Sequence, residues 1–158
     1  MNGTIRETLI DVFCRVLEQV AFAFGEETPK EELPAAEFSG YLLCGIAFRG
    51  PFEGAIEMAL PSELCRELAA NTLGAERESV APEMAADALK EIANVTCGQW
   101  LTNVAGEKLV FDLSVPTIED LGSAGWKELR SRASSIAMVV DDAPVLIDIS
   151  VQGDIPSD

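Results

Sequence analysis

The sequence contains no histidine, and this absence removes several large classes of enzyme at once. Ser-His-Asp and Cys-His hydrolases need an imidazole as general base, and most catalytic zinc sites use histidine ligands. Phosphotransfer through a phosphohistidine is excluded for the same reason. Any chemistry must therefore come from carboxylates, from amides or from groups that a partner supplies.

Cysteine pairs and basic residues are also scarce. No two cysteines form a C-x-x-C motif, and the four lie far apart in apolar runs: Cys14, Cys44, Cys65 and Cys97. With no histidine available, this pattern predicts free thiols in the core and no metal site. Only 11 Lys and Arg oppose 27 Asp and Glu, so the formal net charge is -16. Because phosphate contacts need clustered cations, this balance disfavours nucleic acid and anionic membrane surfaces as partners.

A long apolar run and a recognisable signal peptide are absent as well. No apolar stretch approaches the roughly 20 residues that a membrane-spanning helix needs. The chain does not begin with a charged segment followed by an apolar core, so no signal peptide is expected. Its 158 residues, 48% of them hydrophobic, are enough for one domain with a core. We therefore expect a cytoplasmic protein with a single domain over residues 1–153 and a flexible tail over residues 154–158.

Apolar residues recur at helical spacing in three segments, residues 4–24, 61–73 and 79–105. A glycine follows each segment where the helix would end: Gly25, Gly74 and Gly106. Pro82 is compatible with the first turn of the third helix, where its missing N–H is not needed. Trp100 lies on the apolar arc of that helix and is predicted to be in the core.

The remaining apolar runs are typical of strands. Two pairs of runs flank residues 49–51 and 141–144, and each pair predicts an antiparallel hairpin. A further strand is predicted over residues 108–116, with alternate apolar residues on one face. Residues 26–36 and 117–132 are interpreted as irregular surface connections. Four residues of the second connection are expected to contact solvent or a second copy: Trp126, Lys127, Arg130 and Arg132. The order of elements predicts an α+β fold, with long helices packed against a mainly antiparallel sheet.

A narrow polar stripe runs along the predicted third helix. Its members stand at positions i, i+4, i+7 and i+11: Asp87, Glu91, Asn94 and Gly98. The Cβ atoms of Glu91 and Asn94 are expected to be about 5–6 Å apart. A carboxylate can pair with a cation, and an amide can donate and accept hydrogen bonds, so the two could dock a positive group and orient a water molecule.

Two interpretations of the stripe stay open at this point. A Glu-x-x-Asn pair arises often enough by chance that an ordinary solvated helix face explains it as well. Gly98 costs about 0.5–1 kcal/mol relative to alanine inside a helix. That cost is understandable if a side chain there would block a partner, or if the helix packs tightly against another element.

The sequence resembles the CheX/CheC/FliY family of chemotaxis phosphatases, and it is most similar to the single-site CheX branch. The family pattern is Asp or Ser, then Glu four residues later, Asn three residues after that, and Pro some twenty residues further on. Here the pattern corresponds to Asp87, Glu91, Asn94 and Pro116. The segments "GPFEGAIEMALPSELCRELAANTLG" and "EIANVTCGQWLTNVAG" resemble that branch's strand and helix and its active helix.

The resemblance implies a CheC-like fold and a phosphatase that acts on the aspartyl phosphate of a CheY-type response regulator. Glu91 would dock a lysine of the receiver, and Asn94 would orient the attacking water. Asp87, Gly98 and Pro116 would shape the surface that meets the partner. No cofactor of its own is implied, because the phosphorylated receiver supplies the aspartate and the Mg²⁺. The regulator and the pathway are not identified.

The resemblance also bears on the number of sites and on assembly. The CheC branch carries two sites on two related helices. Aligning the first helix with the third places Glu7, Asp11 and Cys14 opposite Asp87, Glu91 and Asn94. Because a thiol cannot orient water as an amide does, one site per chain is expected. The CheX branch further implies a homodimer, joined through the sheet.

Two other functions remain as alternatives. One is a binding module without catalysis, related to the flagellar switch proteins FliM and FliN, which would form a complex and leave the phosphate lifetime unchanged. The other is a sensor domain with a small-molecule ligand, which would need an apolar pocket with convergent polar groups. The paired Glu91 and Asn94 favour the phosphatase, since a scaffold has no need of both.

Overall fold

Four α-helices and seven β-strands make up the part of the chain that the computed structural model describes, residues 3–34, 40–153 and 155. The helices are α1 (Gly3–Ala21), α2 (Ser62–Leu73), α3 (Pro82–Ala105) and α4 (Ser123–Ser131). The strands are β1 (Gly25–Glu27), β2 (Tyr41–Arg49), β3 (Glu53–Pro61), β4 (Asp112–Leu113), β5 (Thr117–Leu121), β6 (Ile136–Val140) and β7 (Ala143–Gln152).

All seven of these strands belong to one antiparallel sheet. Their order is β1-β6-β7-β3-β2-β4, and β5 pairs with β2 as well. Both predicted hairpins are present, β2 with β3 and β6 with β7. The second turns through Asp141 and Asp142, whose φ angles of 48° and 70° suit the primed turns that match strand twist. The predicted α+β fold is therefore confirmed.

The two faces of the sheet have different coverings. Alternate residues of the central strands, among them Ile46, Ile56 and Ile147, pack under α1, α2 and α3 and form the main core. Trp100 of α3 is fully buried there, as predicted, and its Nε1 donates to the carbonyl of Ile5 at 3.2 Å. The three helices thus form one layer whose outer faces are free of the sheet.

Helix α4 covers part of the opposite face, and its presence corrects the prediction of an irregular segment at residues 117–132. The ring of Trp126 is only 8% exposed and stacks on Tyr41 with centroids 4.2 Å apart. Neither solvent nor a second copy is needed to explain it. The helix has nine residues and only two buried side chains, Trp126 and Leu129, so its apolar periodicity is too short to recognise.

An ion-pair network fastens the end of α4 to the sheet. The guanidinium of Arg132 contacts carboxylates of Glu128, Asp148 and Glu57 at 3.0, 3.0 and 2.9 Å. Their hydrogen bonds raise the pKa of Arg132 above its ordinary range. Arg130 donates to the carbonyl of Lys30. Arg130 and Arg132 of this locally basic segment are thus engaged in intramolecular contacts, and Lys127 is exposed.

Three predicted boundaries are wrong. Helix α3 begins at Pro82 and not at residue 79, which belongs to a short 3₁₀ turn (Arg77–Ser79). Helix α1 ends at Ala21 and not at residue 24, because Phe22 adopts a positive φ of 52°, and Gly25 begins β1 instead of stopping the helix. The strand predicted over residues 108–116 shrinks to β4, with Val110 and Val115 at 80% and 81% exposed. The edge of β2 offers β4 only two partners and pairs with β5 along the rest.

Some predictions fall outside the described residues. The flexible tail at residues 154–158 lies there except for residue 155, and so do residues 35–39 of the first connection. Single-domain organisation over residues 1–153 stays a prediction. In the described segments, no helix combines the length and apolar character that crossing a membrane requires.

Candidate active site on helix α3

Helix α3 is a long, firmly seated platform. It begins with Pro82 in its first turn and ends where Gly106 takes a φ of 87°. Eight of its residues are buried against α1, α2 and the sheet: Ala85, Leu89, Ile92, Ala93, Thr96, Cys97, Trp100 and Leu101. This buried face fixes the rotation of the helix and decides which residues face outward.

The predicted stripe lies on the outward face. Asp87, Glu91 and Asn94 are exposed and Gly98 is half-buried, whereas Ile92 at 1% and the adjacent Ala93 at 0% are inside. Neither Glu91 nor Asn94 has a side-chain hydrogen bond or ion pair to any residue that the structure describes. An acid and an amide one turn apart are thus presented to solvent on a helix whose other face is buried, and no described residue satisfies their hydrogen-bonding groups.

Gly98 is not explained by packing within the chain. A Cβ atom added at this residue would meet no described atom within 4 Å, so the space above it is open. Tight packing of α3 is therefore not the reason for its helix-weakening cost. Two grooves meet at Gly98. One, of about 390 Å³, is shared with Arg15 and Gln19 of α1, and the other, of about 170 Å³, is shared with Phe111 and Leu113 near β4.

Pro116, the remaining residue of the pattern, is not part of the stripe. It is half-buried in the connection between β4 and β5, and α3 packs against β5. The structure therefore brings Asp87, Glu91, Asn94 and Gly98 together on one face and places Pro116 on a separate element beside the helix.

The corresponding face of α1 differs at one decisive position. Glu7 and Asp11 are exposed, but Cys14 is half-buried and its Sγ donates to the carbonyl of Gly25 at 3.3 Å. Burial raises the pKa of the Cys14 thiol, and Asp11 and Glu18 raise it further. This helix has no amide at the position that matches Asn94, so it offers no second site of the same kind.

Thiol chemistry is unavailable at the stripe. Cys97 neighbours Gly98 but is fully buried, and burial raises its pKa to about 12. Burial likewise raises the pKa of Cys44 to about 11 and that of Cys65 to about 12. Thiolate is the nucleophilic form, so these three cysteines are inert near neutral pH. They are free and buried as predicted, and only Cys14 is partly accessible.

Sequence reasoning missed the groove between α1 and α3. Arg15 and Gln19 reach it from a helix more than 70 positions earlier in the chain, and no local periodicity connects the two elements. One signal was present: Arg15 is a cation among acids, with Asp11 four residues before it and Glu18 three residues after it. This arrangement becomes informative only when the packing of the two helices is known.

Comparison with solved structures identifies the fold. CheX from Vibrio vulnificus aligns with a TM-score of 0.67 and 17% identity over 95% of this chain and 100% of its own. CheX from Desulfovibrio desulfuricans aligns with a TM-score of 0.64 and 12% identity over 94% and 99%. The CheX-CheY-BeF3-Mg²⁺ complex from Borrelia burgdorferi gives 0.62 and 19% over 94% and 98%. At these identities the likeness concerns the fold.

Sequence comparison is more specific. No curated protein sequence matches this chain. The family model described as chemotaxis phosphatase CheX does match, over residues 42–137. That range covers more than half of the 158 residues and includes the stripe on α3 and Pro116. Together with the fold, the match shows that the chain belongs to the CheX family of chemotaxis phosphatases.

Proposed function

We propose that this protein hydrolyses the aspartyl phosphate of a CheY-type response regulator, with Asn94 orienting the attacking water and Glu91 docking a lysine of the receiver. The observation that carries the proposal is the pair of Glu91 and Asn94. Both side chains are exposed and have no partner among the described residues, and they stand one turn apart on a helix whose opposite face is buried. Membership of a phosphatase family supports the same assignment.

The chemistry asks little of this chain beyond positioning. The water oxygen forms a bond to phosphorus, the bond from phosphorus to the aspartate oxygen breaks, and the products are inorganic phosphate and a free carboxylate. The amide of Asn94 accepts one hydrogen bond from the water and donates another to an oxygen of the site. Holding the attacking group in line is a major part of catalysis in phosphoryl transfer. One amide on a well-packed helix can therefore supply the positioning that this reaction needs.

Glu91 gives the docking step its charge. A carboxylate and an ammonium about 4 Å apart attract by roughly 1 kcal/mol in bulk water, and by more when the interface excludes solvent. Pairing with Glu91 also draws the lysine away from the phosphoryl group that it would otherwise hold. The same side chain therefore binds the receiver and exposes the phosphorus to water.

The partner and the metal complete this site from outside. A CheX relative forms a complex with CheY, BeF3 and Mg²⁺, and this supports a CheY-like receiver as the partner here. We propose that Mg²⁺ arrives with that receiver and that the chain acts in the cytoplasm, as a homodimer. The identity of the receiver would follow from a neighbouring receiver gene.

A lifetime measurement tests the proposal. A CheY-type receiver is phosphorylated in the presence of Mg²⁺, and loss of the phosphate is followed with and without the chain. The proposal expects a shorter lifetime that scales with the amount of chain at substoichiometric levels. Binding with an unchanged lifetime would overturn it and favour a scaffold related to FliM and FliN.

A small-molecule sensor is less well supported by the structure. An open groove of about 500 Å³ lies on the sheet at the ends of β2, β3 and β7. Its charged residues, Arg49, Glu53 and Asp112, are all exposed at the rim. Ligand sites usually hold a few convergent polar groups in an enclosed apolar pocket, and this groove offers no such arrangement.

A further inference from the structure

Arg15 occupies an unusual position in a chain that has 27 acidic residues. It is exposed on α1, one turn before Gln19, and both residues line the groove that ends at Gly98. The α3 side of the groove adds three polar side chains: Gln99, Thr102 and Asn103. This groove continues the surface of the stripe from the helix of Glu91 and Asn94 onto the neighbouring helix.

The guanidinium of Arg15 has no hydrogen-bond or ion-pair partner within the described parts of the chain, and it is the only arginine there of which this is true. Four arginines pair with carboxylates: Arg6, Arg49, Arg77 and Arg132. Two others donate to backbone carbonyls: Arg66 and Arg130. Asp11 and Glu18 stand within one turn of Arg15 at helical spacing and still form no ion pair with it.

A free guanidinium beside the stripe is suited to one kind of contact. Its planar fork binds a carboxylate or a phosphate through two parallel hydrogen bonds. The phosphoryl group is the proposed target of Asn94, and Asn94 does not line the groove that Arg15 shares with Gly98. A carboxylate on the receiver surface, next to its active centre, therefore fits this position better than the phosphoryl group.

We infer that Arg15 is a positioning residue that binds an acidic side chain on the surface of the docked receiver. The inference rests on the proposed function in taking a receiver as the partner. Glu91 then takes a cation of the receiver and Arg15 takes an anion. Two contacts of opposite sign fix the orientation of the receiver along the stripe, because a rotated receiver would face each charge with its like.

Charge reversal with a matched control tests the inference. Arg15→Glu and Arg49→Glu change the net charge equally, and Arg49 is 83% exposed at the end of β2 and does not line the groove of Arg15. Affinity is measured for the receiver with and without beryllofluoride, a stable stand-in for the phosphoryl group, and dephosphorylation is measured separately. Arg15→Glu should lower the affinity for both forms of the receiver about tenfold or more and raise KM by a similar factor. Its kcat should stay within about twofold of the parent value.

Milder variants separate charge from folding. Arg15→Gln removes the charge without adding repulsion to Asp11 and Glu18, and it should still weaken binding several-fold. Arg15→Lys keeps the charge but loses the fork, so it should fall between Arg15→Gln and the parent chain. Thermal unfolding of Arg15→Gln and Arg15→Lys should match that of the parent within about 2 °C, since the guanidinium of Arg15 forms no hydrogen bond or ion pair with a described residue.

Three outcomes would overturn the inference. The first is that Arg15→Glu and Arg49→Glu bind the receiver equally well. The second is a loss of affinity only for the receiver that carries beryllofluoride, and the third is a fall in kcat with KM unchanged. The second would assign Arg15 to the phosphoryl group. Failure of the proposed function is a distinct result, because a parent chain that leaves the phosphate lifetime unchanged can still show the dependence of binding on Arg15.

Discussion

Helices α1 and α3 present similar acidic faces to solvent, but the residue three positions after the second acid differs between them. Glu7 and Asp11 on α1 repeat the spacing of Asp87 and Glu91 on α3. Three residues later α3 has the exposed Asn94, whereas α1 has Cys14, which turns inward and donates to the backbone of β1. The acid alone recurs, and the pair of acid and amide does not.

This difference separates two roles that the surface of α3 is proposed to combine, the attraction of a partner and the orientation of a water molecule. Acidic residues keep a chain soluble and can attract a basic patch, and either helix can do that. Orienting a water molecule needs a group that both donates and accepts, and at this position only α3 provides one in the open, Asn94. Cys14 instead ties α1 to the strand that follows it. The comparison predicts that chemistry depends on α3, and that α1 contributes docking through Arg15.

The largest effect is expected from Asn94→Ala. If Asn94 orients the attacking water as proposed, its loss should lower kcat by about a hundredfold or more, equivalent to about 2.7 kcal/mol of transition-state stabilisation, with little change in KM. Single-turnover loss of receiver phosphate measures this directly. Because the exposed side chain of Asn94 forms no hydrogen bond with a described residue and alanine favours the helix, the melting temperature should not fall. Parent-like kcat in a folded Asn94→Ala chain would contradict the mechanism.

A smaller effect, and one of another kind, is expected from Glu91→Lys. The variant repels the receiver lysine, so KM should rise and kcat/KM should fall about 10–100-fold, whereas Glu91→Ala should cost less. Glu63→Lys on α2 is the control, since it makes the same change in charge at an exposed residue outside the stripe. Equal losses in Glu91→Lys and Glu63→Lys would show that net charge alone matters.

Gly98→Ala should separate stability from activity. No atom of another described element lies within 4 Å of the added methyl group, so the variant should gain about 0.5–1 kcal/mol of helix stability and about 1–4 °C in melting temperature. If the receiver approaches closely at this residue, kcat/KM should fall about three- to tenfold. A stabilised variant with full activity would leave the glycine without a docking role.

The smallest effect is expected where the comparison is tested most directly. Cys14→Asn supplies α1 with the missing amide, yet the residue is half-buried against β1. Activity per chain should stay within about twofold of the parent, and Cys14→Asn should not restore an Asn94→Ala chain. Restoration would mean that α1 is a dormant second site and that burial is not the barrier.

Local sequence patterns were enough to predict most of the elements that carry the candidate site. The bounds of α2 to within one residue, the C-terminal end of α3 and both hairpins were predicted, because long amphipathic periods and glycine or proline punctuation are local signals. The exposure of Asp87, Glu91 and Asn94 followed from the same periodicity. Function could not be read from spacing alone, and the resemblance to a family supplied it.

The missed elements depend on distant partners. Strand β1 has three residues and exists because it pairs with β6, more than 100 positions later. Strand β5 takes the free edge of β2, which displaced the strand predicted at residues 108–116. The groove of Arg15 likewise needs α1 and α3 side by side. Such features arise from tertiary pairing, which a single sequence does not display.

The two tryptophans lie on opposite faces of the sheet, so each can act as an intrinsic fluorescent probe of its own side. Trp100 lies beneath the helical layer among Phe48 and Phe52, and Trp126 lies across the sheet against Tyr41. Replacing Trp126 with phenylalanine would leave an emission signal from the helical side alone. Fluorescence of that variant would then report on the packing between the helical layer and the sheet, without any attached dye.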